Sequence, residues 1–182
     1  MKKELRFAIT GYRPVKLPSQ YGYDIHNVAY RQLAAAIRDT IVYVSYQQCI
    51  FDLVCISGMA LGTDQLFVHV ADALKKRPEF ANIHVTAAIP CYGQETKWPV
   101  QSRETYHKTL SLCDETIYVT RQNFTPSCME KRNQWMVDHC DVLIAVYDGK
   151  SGGTANCIRY AQQQNKTIYY IDPNNLLVRR AA

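Results

Sequence analysis

Apolar positions along this chain alternate between two rhythms, short continuous runs and recurrence every three or four residues. Leu5 to Thr10, Leu53 to Ile56, Ile83 to Ile89, Glu115 to Thr120, Asp141 to Tyr147 and Thr167 to Ile171 are runs rich in β-branched residues. Such runs, bounded by turn formers, predict strands, and the most apolar of them predict strands buried on both faces. Within Asn27 to Gln48, Val28, Leu33, Ile37, Ile41 and Val44 follow one helical face. Val42 to Val44 also fits a β pattern, which leaves the end of that helix open. Leu66, Phe67, Val70, Ala71 and Leu74 mark a second helix, with Thr63-Asp64 in the N-cap place and Arg77-Pro78 at its end. Further helices are predicted from Pro99 to Leu112, from Thr125 to His139, and from the turn at Asp148 to Thr154 as far as Gln164. Pro99 and Pro126 suit first helical turns.

Strands alternating with helices imply right-handed βαβ units and a parallel sheet covered on both faces. The expected fold class is α/β, a three-layer Rossmann-like sandwich with a mainly parallel sheet of about six strands, with residues 1–182 forming one domain. No internal repeat or low-complexity segment interrupts it.

Composition narrows the setting. At 47% hydrophobic and 20% charged, the chain has the profile of a globular protein. No apolar run approaches the ~20 residues of a membrane span, and Met1-Lys-Lys-Glu-Leu-Arg6 leads into a strand without a signal-type block. A cytoplasmic protein with no membrane partner is expected. The seven cysteines are odd in number and contain no C-x-x-C pair, and the five histidines lack ligand spacing. Buried free thiols are therefore expected, with no metal and no cofactor. The formal charge of +5 is spread along the chain, and the basic cluster Lys75-Lys76-Arg77 falls at a helix end, where the macrodipole favours cations. A solvated surface is favoured over a phosphate-tracking stripe.

Ligands of parallel α/β sheets bind beyond the carboxyl ends of the strands, where strand order reverses. Four loops on that rim hold the unusual residues: Gly11, Tyr12 and Arg13; Ser57, Gly58, Met59, Gly62, Thr63 and Asp64; Pro90, Gln94 and Trp98; and Asp148, Ser151, Gly152, Gly153 and Thr154. The two glycine turns precede helices, as phosphate-binding turns do, so their N–H groups are expected to face one shared cleft. Ser57 and Thr63 add hydroxyls suited to phosphate or ribose. Arg13 fits either an ion pair with Asp148 or Asp64 or a ligand phosphate. Tyr12, Tyr92, Trp98 and Tyr147 offer rings that serve equally as stacking platforms or as lids on a core. Asn133 joins the candidates if its helix leans over the cleft.

These motifs together resemble the SLOG superfamily, with spacing nearest its YpsA-like branch, which is common in Gram-positive bacteria and their prophages. The residues that carry the resemblance are Gly11-Tyr-Arg-Pro14, Ser57-Gly-Met-Ala-Leu-Gly-Thr-Asp64, Ile89-Pro90 with Gln94 and Trp98, and Gly152-Gly153-Thr154. The Ser57 to Asp64 motif is also similar to that of the DprA/Smf branch, whose Rossmann-like domain binds single-stranded DNA. A further branch, the cytokinin-activating phosphoribohydrolases, carries Gly-Gly-x-Gly-Thr with a catalytic Glu three residues after the Thr. Here Thr154 follows Gly153 directly and Cys157 stands at the Glu position, where a thiol poorly replaces a carboxylate. Asp64 and Glu95 remain as candidate catalytic carboxylates.

The resemblance implies a binding or sensing protein for a nucleotide derivative that carries phosphate and ribose. The alternative is an N-glycosidase, or a ribosyl hydrolase or transferase acting on nucleotides. A single-stranded nucleic-acid binder is the third reading, and a homo-oligomer stays open.

Overall fold

The computed structural model describes residues 4–22 and 24–181, so Met1–Lys3, Tyr23 and Ala182 lie outside the account. In chain order the elements are β1 (Leu5–Gly11), α1 (Val28–Gln48), β2 (Leu53–Ser57), α2 (Thr63–Lys75), β3 (Ile83–Ile89), α3 (Val100–Leu110), β4 (Glu115–Tyr118), α4 (Cys128–Asp138), β5 (Val142–Val146), α5 (Gly153–Gln163), β6 (Thr167–Ile171) and β7 (Val178–Arg180). They form a three-layer sandwich around one sheet in the order β4-β3-β2-β1-β5-β6-β7. Every pairing is parallel except that of β6 with β7.

Strand alternation sets the two cores. Phe7, Ile9, Cys55, Val85 and Ile144 point to the face covered by Leu33, Ile37 and Ile41 of α1, Phe67 and Val70 of α2 and Tyr106 of α3. Ala8, Ile56, Ala88, Leu143 and Ala145 point to the other face, under Met136 and Val137 of α4 and Ile158 and Ala161 of α5. Small residues predominate on that second face. Right-handed crossovers explain the division of helices, because the chain steps outward from β1 to β4 and then returns to β5 on the other side of β1. The reversal falls between β1 and β5, and the cleft described below opens at their carboxyl ends.

The first helix ends at Gln48, as the pattern predicts: Val42–Val44 is helical, and the chain passes to a left-handed cap at Cys49, φ 51°. Other boundaries differ from the pattern-based expectation. The N-cap of α2 is Gly62 at φ 88°, a backbone that favours glycine, so Thr63 and Asp64 are its first helical residues instead of its cap. The fourth helix begins at Cys128, after Thr125–Ser127. The sheet gains a seventh, antiparallel strand whose three residues are all exposed. No helix among the described residues is long and apolar enough to cross a membrane.

Candidate functional site

Backbone contact first joins the ends of β1 and β2. A Cβ on Gly11 would lie 2.4 Å from the Thr63 methyl, so the missing side chain is what lets α2 approach β1. The Thr63 hydroxyl then donates to the Tyr12 carbonyl at 3.0 Å. The Tyr12 phenol donates to Asp148 Oδ1 at 2.7 Å, and the Lys150 N–H donates to the phenol oxygen at 3.2 Å. One buried tyrosine thereby ties the first two turns to the loop after β5. Burial, followed by the Asp148 carboxylate, pushes the Tyr12 phenol up to about 12. Burial works to raise Asp148, but hydrogen bonds from Lys150 and Tyr12 hold it below the usual carboxylate range.

The turn after β2 is closed by its own chain. Ser57 is fully buried, donates to the Asp64 carbonyl at 2.8 Å and accepts the Met59 N–H at 3.1 Å. Met59 has φ 59°, a left-handed conformation disfavoured for a side chain of its kind, and Ser57 holds it there. The Ala60 N–H donates to Asp64 Oδ2 at 3.2 Å. Space beside Gly58 is taken by Arg132 of α4, whose Nη1 donates to the Gly58 carbonyl and lies 3.6 Å from Asp64 Oδ2. Arg132 and Asp64 are only 5% and 6% exposed, which makes them a buried ion pair. Burial raises the Asp64 carboxyl, against the pull of Arg132, the Ala60 N–H and Arg13. Burial likewise lowers the Arg132 guanidinium, with Asp64 opposing.

The loop after β5 stays open. Gly152 caps α5 at φ 140° with no side-chain hydrogen bond, leaving the first N–H groups of that helix without an intrahelical partner. A Cβ on Gly153 would meet nothing within 4 Å. Gly152, Gly153 and Thr154 form one wall of a cleft of about 400 Å³, faced by Arg13, Lys16, Asp64, Arg132 and Asn133. Arg13 is exposed and makes no ion pair with any described residue, so of its two readings the bond to Asp148 or Asp64 is not formed. Lys16 Nζ donates to the Ser151 carbonyl at 3.4 Å. Cations, helix-end N–H groups and one carboxylate thus meet at the point where strand order reverses.

The sequence profile of the YpsA family, described as a SLOG family, matches residues 7–176. The chain belongs to the YpsA SLOG family. Among its relatives is the SPbeta prophage-derived protein YoqJ of Bacillus subtilis, 37% identical over 120 residues that cover 59% of this chain and 68% of YoqJ. YpsA of Bacillus subtilis is 25% identical over 94% of both chains, and a UPF0398 protein of Bacillus velezensis is 27% identical over 90% and 86%. In fold, this YpsA-family chain is similar to DNA processing protein A of Helicobacter pylori, which binds single-stranded DNA. That likeness has a TM-score of 0.59 at 19% identity over 92% of this chain. The same protein of Streptococcus pneumoniae gives a TM-score of 0.59 at 16% identity, also over 92% of this chain. This chain spans 65% and 50% of those two proteins.

The YpsA-family fold gathers some sequence candidates into the cleft and takes others away from it. Gly11, Tyr12, Arg13, Asp64, Asn133, Gly152, Gly153 and Thr154 line it, so α4 does lean over the site. The two glycine turns do meet across it, but the β2 turn contributes Ala60 and Asp64, while Gly58 is covered by Arg132. Ser57 and Thr63 direct their hydroxyls to backbone oxygens, and Met59 is buried. Gly62 packs on Pro14 and the Tyr12 carbonyl. The Pro90 carbonyl accepts from the Thr120 N–H at 3.1 Å. Gln94 donates to the Tyr106 hydroxyl at 3.3 Å, and Trp98 packs edge-on against the same ring. Glu95 lies 3.9 Å from His107, and neither it nor these three residues lines the cleft.

Cys157 is buried against the second core, where burial pushes its thiol up to about 11. Ile9, Thr10, Val15, Lys16, Ala60, Met129 and Arg132 also line the cleft, and sequence reasoning did not select them. Ala60 lies inside the Ser57 to Asp64 motif and Lys16 two residues after Gly11-Tyr-Arg-Pro14, so both stood beside a signal that could have found them. Among the described residues no group of His, Cys, Asp and Glu is gathered to hold a metal.

Proposed function

We propose that this protein binds a nucleotide derivative, with its phosphate at the start of α5 and its ribose beside Asp64 and Asn133. The observation that carries this reading is the uncapped helix start at Gly152–Gly153 opening into a cleft that also holds Arg13, Lys16 and Arg132. Helix N-termini attract anions through free N–H groups and the macrodipole, and cations across the cleft reinforce that field. A cavity of about 400 Å³ lies within the range of small-molecule sites.

The test is thermal unfolding against nucleotides, nucleosides, ADP-ribose and cyclic dinucleotides. A ligand at 100 times its dissociation constant stabilises by roughly 2.7 kcal/mol. Phosphate-bearing ligands are expected to stabilise the wild type, and Arg13→Ala to weaken them. Indifference to every phosphate compound refutes the proposal.

A single strand of DNA is the second reading, supported by the fold likeness to a protein that binds one. It predicts affinity that falls steeply with salt, as multiple phosphate contacts require. Glycosidic cleavage has thinner support, because Asp64, the carboxylate on the cleft wall, already faces Arg132. Free-base release from nucleoside monophosphates, lost in Asp64→Asn, would establish it.

A further inference from the structure

A pocket of about 250 Å³ lies between α4 and α5 and borders the cleft, since Met129, Asn133 and Gly153 line both. Gly153 has no side chain, and a Cβ there would meet nothing within 4 Å, so α5 raises no barrier between the two spaces at that point. Asn156, the next α5 residue on the pocket wall, follows one helical turn later, about 5 Å along the axis. A ligand anchored at the start of α5 therefore has the pocket within a turn's length of its anchor.

The walls divide as those of a site for a flat heterocycle do, apolar on the faces and polar at the edge. Pro126, Met129, Cys157 and Tyr160 supply apolar surface, and the Tyr160 ring is held by its hydroxyl, which donates to Asp138 at 2.9 Å. Glu130, Gln134 and Asn156 supply the polar groups, and their side chains make no hydrogen bond or ion pair with any described residue. Asn133 Oδ1 accepts from Arg132 Nε at 2.9 Å, which leaves the Asn133 amide N–H groups for a ligand. Among the described residues Glu130 is the only charged side chain on these walls.

We propose that this pocket takes the base of the ligand and that Glu130 selects guanine. The inference rests on the phosphate reading of the cleft and adds the identity of the nucleotide. A carboxylate accepts two hydrogen bonds side by side, and guanine alone among the common bases offers two adjacent donors on one edge, N1–H and the N2 amine. Adenine sets an acceptor, its N1, where the carboxylate needs a donor, so the same residue that attracts one purine repels the other.

The experiment measures GMP, IMP, AMP and ribose 5-phosphate by calorimetry. Wild type should bind GMP at least about tenfold more tightly than AMP, a difference that hydrogen bonds to a charged group supply. IMP, which keeps N1–H and lacks the N2 amine, should fall between them. Glu130→Gln changes an exposed side chain and should erase the preference for GMP over AMP while leaving ribose 5-phosphate unaffected. Asn156→Trp, also at an exposed position, should fill the pocket and bring GMP down to the affinity of ribose 5-phosphate. AMP bound as tightly as GMP by wild type, a GMP preference that survives Glu130→Gln, or GMP affinity untouched by Asn156→Trp overturns the base pocket while the cleft reading stands. Failure of all four compounds to bind wild type overturns the cleft reading and this inference together.

Discussion

Two glycine-containing turns on this rim look alike in sequence and behave in opposite ways. In the turn from Ser57 to Gly62, the serine hydroxyl, the Ala60 N–H and the space beside Gly58 are all taken up by groups of the same chain. In the turn from Asp148 to Thr154, Gly153 faces open space and the helix start has no cap. The difference comes from α4. Its Arg132 reaches the first turn and stops short of the second. A strand-glycine-helix pattern therefore marks where a ligand phosphate would sit only when no side chain from elsewhere has filled the place.

The sharpest way to break this comparison is to remove the residue that closes the first turn. Arg132→Met leaves Asp64 buried without its cation and should cost about 3–5 kcal/mol, the usual loss when half of a buried pair is removed. Chemical denaturation measures it. Adding Asp64→Leu should recover most of that loss, since an apolar pair of similar volume avoids both desolvation costs. A double variant no more stable than the single one would mean that Arg132 closes the turn through its bond to the Gly58 carbonyl alone.

Gly58→Ala comes next. Its Cβ would lie 1.6 Å from Arg132 Nη1, so the guanidinium must move, at a cost of about 1–3 kcal/mol typical of overpacking. The matching change in the open turn, Gly153→Val, should alter stability by less than about 0.5 kcal/mol, as surface changes do. It should nevertheless cut nucleotide affinity more than tenfold by standing in the phosphate's path. Stability curves and binding isotherms for the two variants form one matched test. If Gly153→Val binds like wild type, the open turn is not the phosphate site.

Tyr12 links the two turns and supplies a smaller, pH-dependent effect. Its phenol is raised in the folded state, so the stability it contributes is complete below its unfolded value near 10 and is lost as pH rises through about 12. Tyr12→Phe should therefore be less stable than wild type by about 0.5–1.5 kcal/mol near neutral pH, the net worth of one hydrogen bond. The gap should close on the alkaline side. A gap that persists unchanged to pH 12 would show that ring packing, and not the bond to Asp148, accounts for it.

Much of this architecture was legible from hydrophobic rhythm. Third and sixth strands coincide with the apolar runs Ile83–Ile89 and Thr167–Ile171, because buried strands carry their burial in consecutive residues. By contrast β7 left no trace, since all three of its residues are exposed and it is held by backbone pairing to β6. Within the site, Gly152, Gly153 and Arg13 could be picked out because local chain grammar marks them. Arg132 could not. Its position on α4 is set by how that helix lies over the sheet, and its partner Asp64 is distant in sequence. The roles of Ser57 and Thr63 were hidden for a related reason, because a hydroxyl serves a ligand or a carbonyl equally well and only packing decides between them.

The filling of Gly58 by Arg132 also bears on descent. One position must lack a side chain because another, 74 residues later, has a long one. Neither substitution is neutral while its counterpart remains, so the two sites form a single inherited character. Lineages that acquire a side chain at 58 should be those that have already shortened residue 132. In them Asp64 would stand free of its cation, and the first turn would be open to ligand as the second one is here.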